Sequence, residues 1–255
     1  MLLSLFLLLL TVSSRGPEPG ALQAGPISVK FDVSRAASQH QPVVFSYSIR
    51  NDSNRTVKVD LGYDRIGSLT FGLIYPKGTQ LSRSPSPPPT DSASRGPDFD
   101  LSPGESYRRT VILDEWFDFG EVGIYRLTVK FSGRVVAGAA QFAINQTAWL
   151  INLSTFNPKL LEERCQYLSN YLKSTSARDE TFLSNESELA WIRDPLAVPY
   201  IEAALAAGVG TKLFDSLVAI GTLQARDSLT RLTTNQTDWV ARNAAAALSR
   251  FQLRK

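Results

Sequence analysis

The chain has one cysteine, one histidine and one methionine among its 255 residues. A single Cys excludes an intramolecular disulfide framework and any Cys-based zinc or iron–sulfur cluster. A single His excludes a multi-histidine metal centre. No run of five or six basic residues exists, and 27 bases face only 24 acids, for a net charge of +3. That balance argues against nucleic acid as a partner. The G-x-S-x-G, H-E-x-x-H and glycine-rich phosphate-loop signatures are all absent. No apolar run approaches the about 20 residues of a membrane span.

The longest apolar run comprises Leu2–Val12, followed by Ser13, Ser14 and Arg15. Its length matches the h-region of a signal peptide, although no basic residue precedes it. Residues 1–14 are therefore read as a signal peptide and 15–25 as a flexible Pro/Gly-rich spacer. The expected location is periplasmic or extracellular, with an uncleaved N-terminal anchor as the alternative. Cys165 falls at core spacing with Leu161 and Leu168 and reads as a small buried hydrophobe.

From Ile27 the hydrophobic period is two. Ile27, Val29, Phe31 and Val33 alternate with polar residues, and Val43, Phe45, Tyr47 and Ile49 alternate with Val44, Ser46, Ser48 and Arg50. Further strands are expected at Val57–Leu61, Leu69–Tyr75, Tyr107–Leu113, Tyr125–Phe131 and Val135–Ile144. Seven short strands without an intervening helix predict two packed antiparallel sheets over 26–147. A Pro/Ser-rich loop is expected at 77–97, where proline opposes both helix and ladder.

After Trp149 the period changes, so 148–156 is read as a linker and 157–255 as an all-α domain. Asn157-Pro158 forms an N-cap and N1 proline. Asp194 caps a helix opened by Pro195, and Asn185 with Glu188 has the spacing of a capping box. Ile192, Ala197 and Ile201 recur as Ile220, Ala225 and Leu229 at a shift of 28 residues, and Leu248 continues the series. A solenoid unit of two helices explains this repeat; an irregular helical bundle explains the amphipathicity equally well.

Two resemblances follow. The turn Ile49-Arg50-Asn51-Asp52-Ser53, the segments Leu61–Arg65, Leu101–Glu105, Glu115–Phe119 and Gly123–Leu127, and their order resemble the exported bacterial immunoglobulin-like domains. Among these is the type named for an intracellular proteinase inhibitor. The likeness covers roughly 26–145 and implies an immunoglobulin-like β-sandwich, but no inhibitory loop can be carried over from it. Residues 186–251, ending in Asp238–Leu248, resemble short HEAT-like repeats, which implies a scaffold that presents a surface to another protein.

Asp64, Arg65, Asp114, Glu115 and Trp116 lie at strand ends, where binding residues concentrate. They read as an interaction rim for another protein, with Trp116 either anchoring a partner or capping the core. Phe117 and Phe119 share the question of surplus apolar area. Asp98, Asp100, Asp114 and Asp118 lack calcium-loop spacing. No metal, cofactor or catalytic residue is assigned. His40 lies in a polar segment poorly suited to fix a general base. The expected function is an exported, non-enzymatic interaction or scaffold module; the alternative is a hydrolase acting on envelope polymer or protein through carboxylates.

Export makes a direct prediction. The mature chain is expected to begin after Ser14, or else near Ala24. Intact-mass measurement on protein from its native host checks this, and a mass retaining Met1–Val12 refutes cleavage.

Overall fold

The computed structural model of the chain describes residues 22–24, 26–62, 65–83, 98–135, 140–175 and 179–252. The β-rich N-terminal lobe comprises β1 (Leu22–Ala24), β2 (Ile27–Val33), β3 (Ala36–Ser38), β4 (Val44–Asn51), β5 (Val57–Asp60) and β6 (Leu69–Ile74). It continues through β7 (Gln80–Arg83), β8 (Asp98–Leu101), β9 (Ser106–Ile112), β10 (Gly123–Val135) and β11 (Ala140–Ser154). One sheet has the order β1-β2-β4-β9. The other runs β3-β11-β10-β5-β8, with β6 pairing β10 and β7 pairing β6. All pairs are antiparallel except β3 with β11.

The period-two pattern becomes burial directly. Phe31 of β2 and Phe45 and Tyr47 of β4 turn inward from one sheet; Phe71 of β6 and Phe131 of β10 turn inward from the other. Their rings interlock across the gap. Phe45 meets Phe71 edge-on at 5.1 Å, and Phe31 meets Phe131 at 5.7 Å and Trp149 at 6.0 Å. Gly123 opens β10 at φ 144°, and a Cβ there would stand 2.8 Å from the Pro76 ring. Only glycine fits both conditions.

The C-terminal lobe has six helices among the described residues: α1 (Pro158–Ser174), α2 (Glu180–Trp191), α3 (Val198–Ala206), α4 (Leu213–Ile220), α5 (Leu223–Leu232) and α6 (Asp238–Gln252). They form two layers, α1-α3-α5 and α2-α4-α6. Asn157 accepts from the Lys159 and Leu160 N–H groups, as expected of an N-cap preceding Pro158. Asp194 accepts from Leu196 and starts a 3-10 turn, Pro195–Ala197, that leads into α3. Cys165 is fully buried between helices.

Several boundaries differ from the expectation. β11 continues to Ser154, so most of 148–156 is sheet rather than linker. Its partners on β10, from Gly123 to Leu127, hold it there. Within the spacer read at 15–25, Leu22–Ala24 form β1, an edge strand paired to β2; cleavage after Ala24 would remove it. In the loop read at 77–97, Gln80–Arg83 pair with Phe71–Ile74, and 84–97 lie outside the described residues, as does the signal segment 1–14. Asn185 is not a cap. Asp179 caps α2 by accepting from the Phe182 N–H at 2.8 Å, which leaves Asn185 and Glu188 buried in mid-helix.

Because Phe45 touches Phe31, Phe71 and Trp149, Phe45→Ala opens a cavity between the sheets. The expected loss is about 3–5 kcal/mol of folding stability, read from urea unfolding midpoints.

Candidate functional site at the seam between the lobes

The site begins where β9 stops. Leu113 donates its N–H to the Val43 carbonyl at 2.9 Å, and Asn51 donates to Glu105 at 3.0 Å. These two bonds set the ladder's parity: odd-numbered residues of β9 bond to β4, whereas Arg108, Thr110 and Ile112 turn their main-chain groups outward. The next rung fails because the Leu113 carbonyl accepts from Trp116 and Phe117 instead, which closes a 3-10 turn over Leu113–Glu115. The Asp114 carboxylate takes its place and accepts the Val43 N–H at 2.7 Å.

Beyond β9 lies the helical lobe, with α2 packed against the strand. Between them is a cleft of about 380 Å³. Ile66, Arg109, Glu115 and Trp116 line it from the β side, and Glu180, Leu183, Ser184, Ser187 and Lys212 from the helical side. Lys212 is doubly held: its ammonium donates to Ser187 Oγ at 3.0 Å and its main-chain N–H to Glu186 Oε1 at 3.0 Å. Glu115 keeps much of its surface in solvent, yet the protein around its carboxyl raises its pKa, and the charges of Lys212 and Arg109 oppose that rise.

A second cleft of about 260 Å³ continues the seam past Asp114, lined by His40, Pro42, Asp114, Trp191, Arg193 and Asp194. Here His40 reaches across the lobes, its Nδ1 standing 2.6 Å from Asp194 Oδ2. The ring lies 4.7 Å from that of Phe156. The His40 backbone is left-handed, φ 71°, a region uncommon for non-glycine residues that histidine enters more readily than most. Next to it Gln39 donates to the Gly120 carbonyl at 2.8 Å. The Arg193 guanidinium sits 5.0 Å over Trp191 and donates to the Ala190 carbonyl, with burial lowering its pKa.

Asp114 faces both the second cleft and a third, of about 440 Å³, that runs along Trp116–Gly120. Burial raises its carboxyl from the ordinary aspartate range to about 7, against the opposing pull of the Val43 hydrogen bond.

The structure thus gathers Asp114, Glu115 and Trp116 at one seam. Asp64 lies outside the described residues. Arg65 turns elsewhere: its guanidinium stands 4.4 Å over Phe99 and 5.1 Å over Tyr107, while its neighbour Ile66 walls the cleft. Trp116 is half-buried and stacks on Phe71 at 5.2 Å; Phe117 and Phe119 are buried in the core. Sequence reasoning missed His40, Arg193, Asp194 and Lys212 as seam residues. Each lies far along the chain from Asp114, and the only local signal was the Asp194-Pro195 cap. Among the described residues, no group of three His, Cys, Asp or Glu side chains could hold a metal ion, and no helix is long and apolar enough to cross a membrane.

No family model matches the chain, and no curated protein matches it. Among solved structures, half of the chain aligns with a β-glucosidase from Listeria innocua in complex with glucose (12% identity, 16% of that chain, TM-score 0.28). Half also aligns with the ApaA protein from Bordetella pertussis (13% identity, 91% of that chain, TM-score 0.28). A late embryogenesis abundant protein is matched over 71% of its length at 12% identity and the same TM-score, 0.28. The chain spans only 16% of the β-glucosidase. Likenesses this distant carry no statement about activity.

Asp114 makes the fold pH-dependent. Its raised pKa means that the folded state holds this proton more tightly than the unfolded chain. The stabilisation is full below the unfolded aspartate pKa and is lost as pH rises through about 7. The change is on the order of 4 kcal/mol. Asp114→Asn keeps an acceptor for Val43 but cannot ionise, so its stability is expected to fall less than that of the wild type between pH 4 and pH 8 (roughly the span between the two pKa values). Urea unfolding across that range measures the difference.

Proposed function

We propose that this chain is an exported, non-enzymatic recognition module that binds another protein at the seam. On this reading the N-terminal lobe is an immunoglobulin-like sandwich and the C-terminal lobe a short HEAT-like stack. The two-sheet core and the layering of α1-α3-α5 on α2-α4-α6 support those assignments. The function rests on one observation. Glu115 and Trp116 of the rim face the helical lobe across a cleft that holds both signs of charge, Glu115 and Glu180 with Arg109 and Lys212. A half-buried aromatic beside charges of both signs is the make-up of an interface with a polar rim. The signal segment supports a periplasmic or extracellular site of action.

The hydrolase reading draws on a separate observation, that His40, Asp114 and Asp194 line one cleft. It requires turnover of an envelope polymer or protein that disappears in Asp114→Asn.

A photo-crosslinking residue placed at Ser184, inside the cleft, is expected to trap a partner in the native envelope. Glu115→Lys and Lys212→Glu are expected to reduce the yield at least about fivefold, the effect of removing roughly 1 kcal/mol of rim contact. The same label at Leu150, on the outer sheet face and 60% exposed, should trap nothing. Crosslinks from Leu150 alone would place the interface elsewhere.

A further inference from the structure

The seam runs along a strand whose hydrogen bonding is complete on one side only. β9 ends its sheet and pairs with β4 alone. On its other side Thr110 presents an N–H and a carbonyl, and Ile112 presents an N–H. The Ile112 carbonyl is spent as the cap of the 3-10 turn. Among the described residues, no hydrogen bond reaches the other three groups. Both residues line the cleft of about 380 Å³, so a molecule entering it meets main-chain donors and an acceptor that the fold leaves open. We propose that the seam is a strand-acceptor site, where an extended segment of the partner protein pairs with Thr110 and Ile112 as a further strand of the sheet. The proposal rests on the reading of the seam as a recognition surface and names the form that the partner takes there.

Strand addition draws affinity from main-chain bonds and selectivity from alternate side chains. In the antiparallel sense, the incoming residue opposite Thr110 exchanges two hydrogen bonds with it. Ile112 donates a third to the residue opposite itself. The cleft holds the liquid volume of about a dozen water molecules, the scale of the main-chain atoms of a three-residue stretch. An added strand lies about 4.7–4.9 Å from its neighbour, on the side of β9 where α2 stands, so α2 gives way outward as the segment enters. The α2 wall is made for this. It turns short side chains to the cleft, and Ser184 donates to Glu180 of its own helix while Ser187 accepts from Lys212. Neither serine occupies the open groups of β9. The helix thus guards the edge against indiscriminate pairing without satisfying it. The cleft also states what the segment carries. Val111 faces the core, so the incoming residue opposite it lands beside Ile66 and the half-buried Trp116, where an apolar side chain fits. Lys212 spends one of its three ammonium donors on Ser187, and its remaining donors favour a carboxylate. The partner segment is therefore extended, apolar at one position and acidic near it.

The probe is a phage library of random heptapeptides selected on the full chain. A selected peptide is synthesised and N-methylated at one residue at a time. Alternation is expected: methylating every second amide weakens binding about tenfold or more, the scale of one main-chain hydrogen bond, while the intervening amides tolerate it. Hydrogen exchange gives the register. In the free chain the Thr110 and Ile112 amides should exchange fast and those of Val111 and Leu113 slowly, and the peptide should slow the first pair about tenfold or more. Thr110→Pro removes an N–H that has no partner in the fold, on an edge strand where proline is tolerated. It is expected to abolish peptide binding, whereas Thr110→Val keeps the N–H and binds as the wild type does. Circular dichroism checks that Thr110→Pro is folded, and the methylation scan on the wild type decides the matter where it is not. A library without binders, uniform tolerance of methylation, or unchanged exchange at Thr110 and Ile112 overturns strand addition. Ser184 crosslinks that persist in folded Thr110→Pro mean that the seam grips a folded surface, so strand addition falls and the recognition reading stands. Absence of those crosslinks in the wild type removes the recognition reading itself.

Discussion

The outer edge of β9 is the constraint on which the two-lobed arrangement depends. A strand paired on one side only presents a row of main-chain donors and acceptors, and an open edge of this kind invites pairing with other chains. In the first sheet β9 is the terminal strand, and the helical lobe stands against it through α2. The helices therefore serve the sheet before they serve any ligand. Once α2 must lie there, the β9 terminus, the 3-10 turn that follows it and the start of α4 are forced together, and the seam with its clefts follows. Arg108, donating to Ser46 Oγ at 3.2 Å, folds its charge back along the outer face of the same sheet.

Much of this was legible in the sequence because its cause is local. Alternation from Ile27 to Ile49 predicts one buried face per strand, and those residues form the core. Asn157-Pro158 and Asp194-Pro195 carry their own capping chemistry, and both start helical turns where expected. The failures are equally physical. Asn185 and Glu188 have the spacing of a cap, but Glu188 is drawn into a bidentate pair with Arg164 of α1 at 2.6 and 2.7 Å. That contact spans two helices, and no window on one of them reveals it. The rim Asp114–Trp116 stood out because alternation breaks there. Its opposite wall did not, because Glu180, Ser187 and Lys212 look like ordinary solvated helix positions until β9 is placed beside them. His40 reads as poorly fixed for the same reason, since its partner Asp194 lies in the other lobe.

Within the helical lobe, buried serines hold the layers in register. Ser169 of α1 donates to the Tyr200 carbonyl of α3 at 2.8 Å, Ser216 of α4 to the Ala190 carbonyl of α2 at 2.5 Å, and Ser228 of α5 to Glu202 of α3 at 2.6 Å. Each is small enough to let two helices approach closely, and each donates across the interface. Arg231 completes the third contact by bonding both oxygens of Glu202. These bonds join successive helix pairs, so neighbouring units are matched by specific polar contacts as well as by apolar stripes.

Cys165 lies at the bottom of this stack with no exposed surface, and burial pushes its thiol up to about 12. A thiol so rarely ionised neither attacks a disulfide nor yields readily to oxidants while the helices stay closed. The same sulfur in an opened chain recovers ordinary reactivity. In an oxidising compartment the intact protein is chemically silent, whereas a chain that loses its helical packing becomes competent to cross-link to whatever thiol or disulfide it meets. One sealed cysteine thereby makes conformational failure covalent, and the damaged molecules become distinguishable from the sound ones by their chemistry alone.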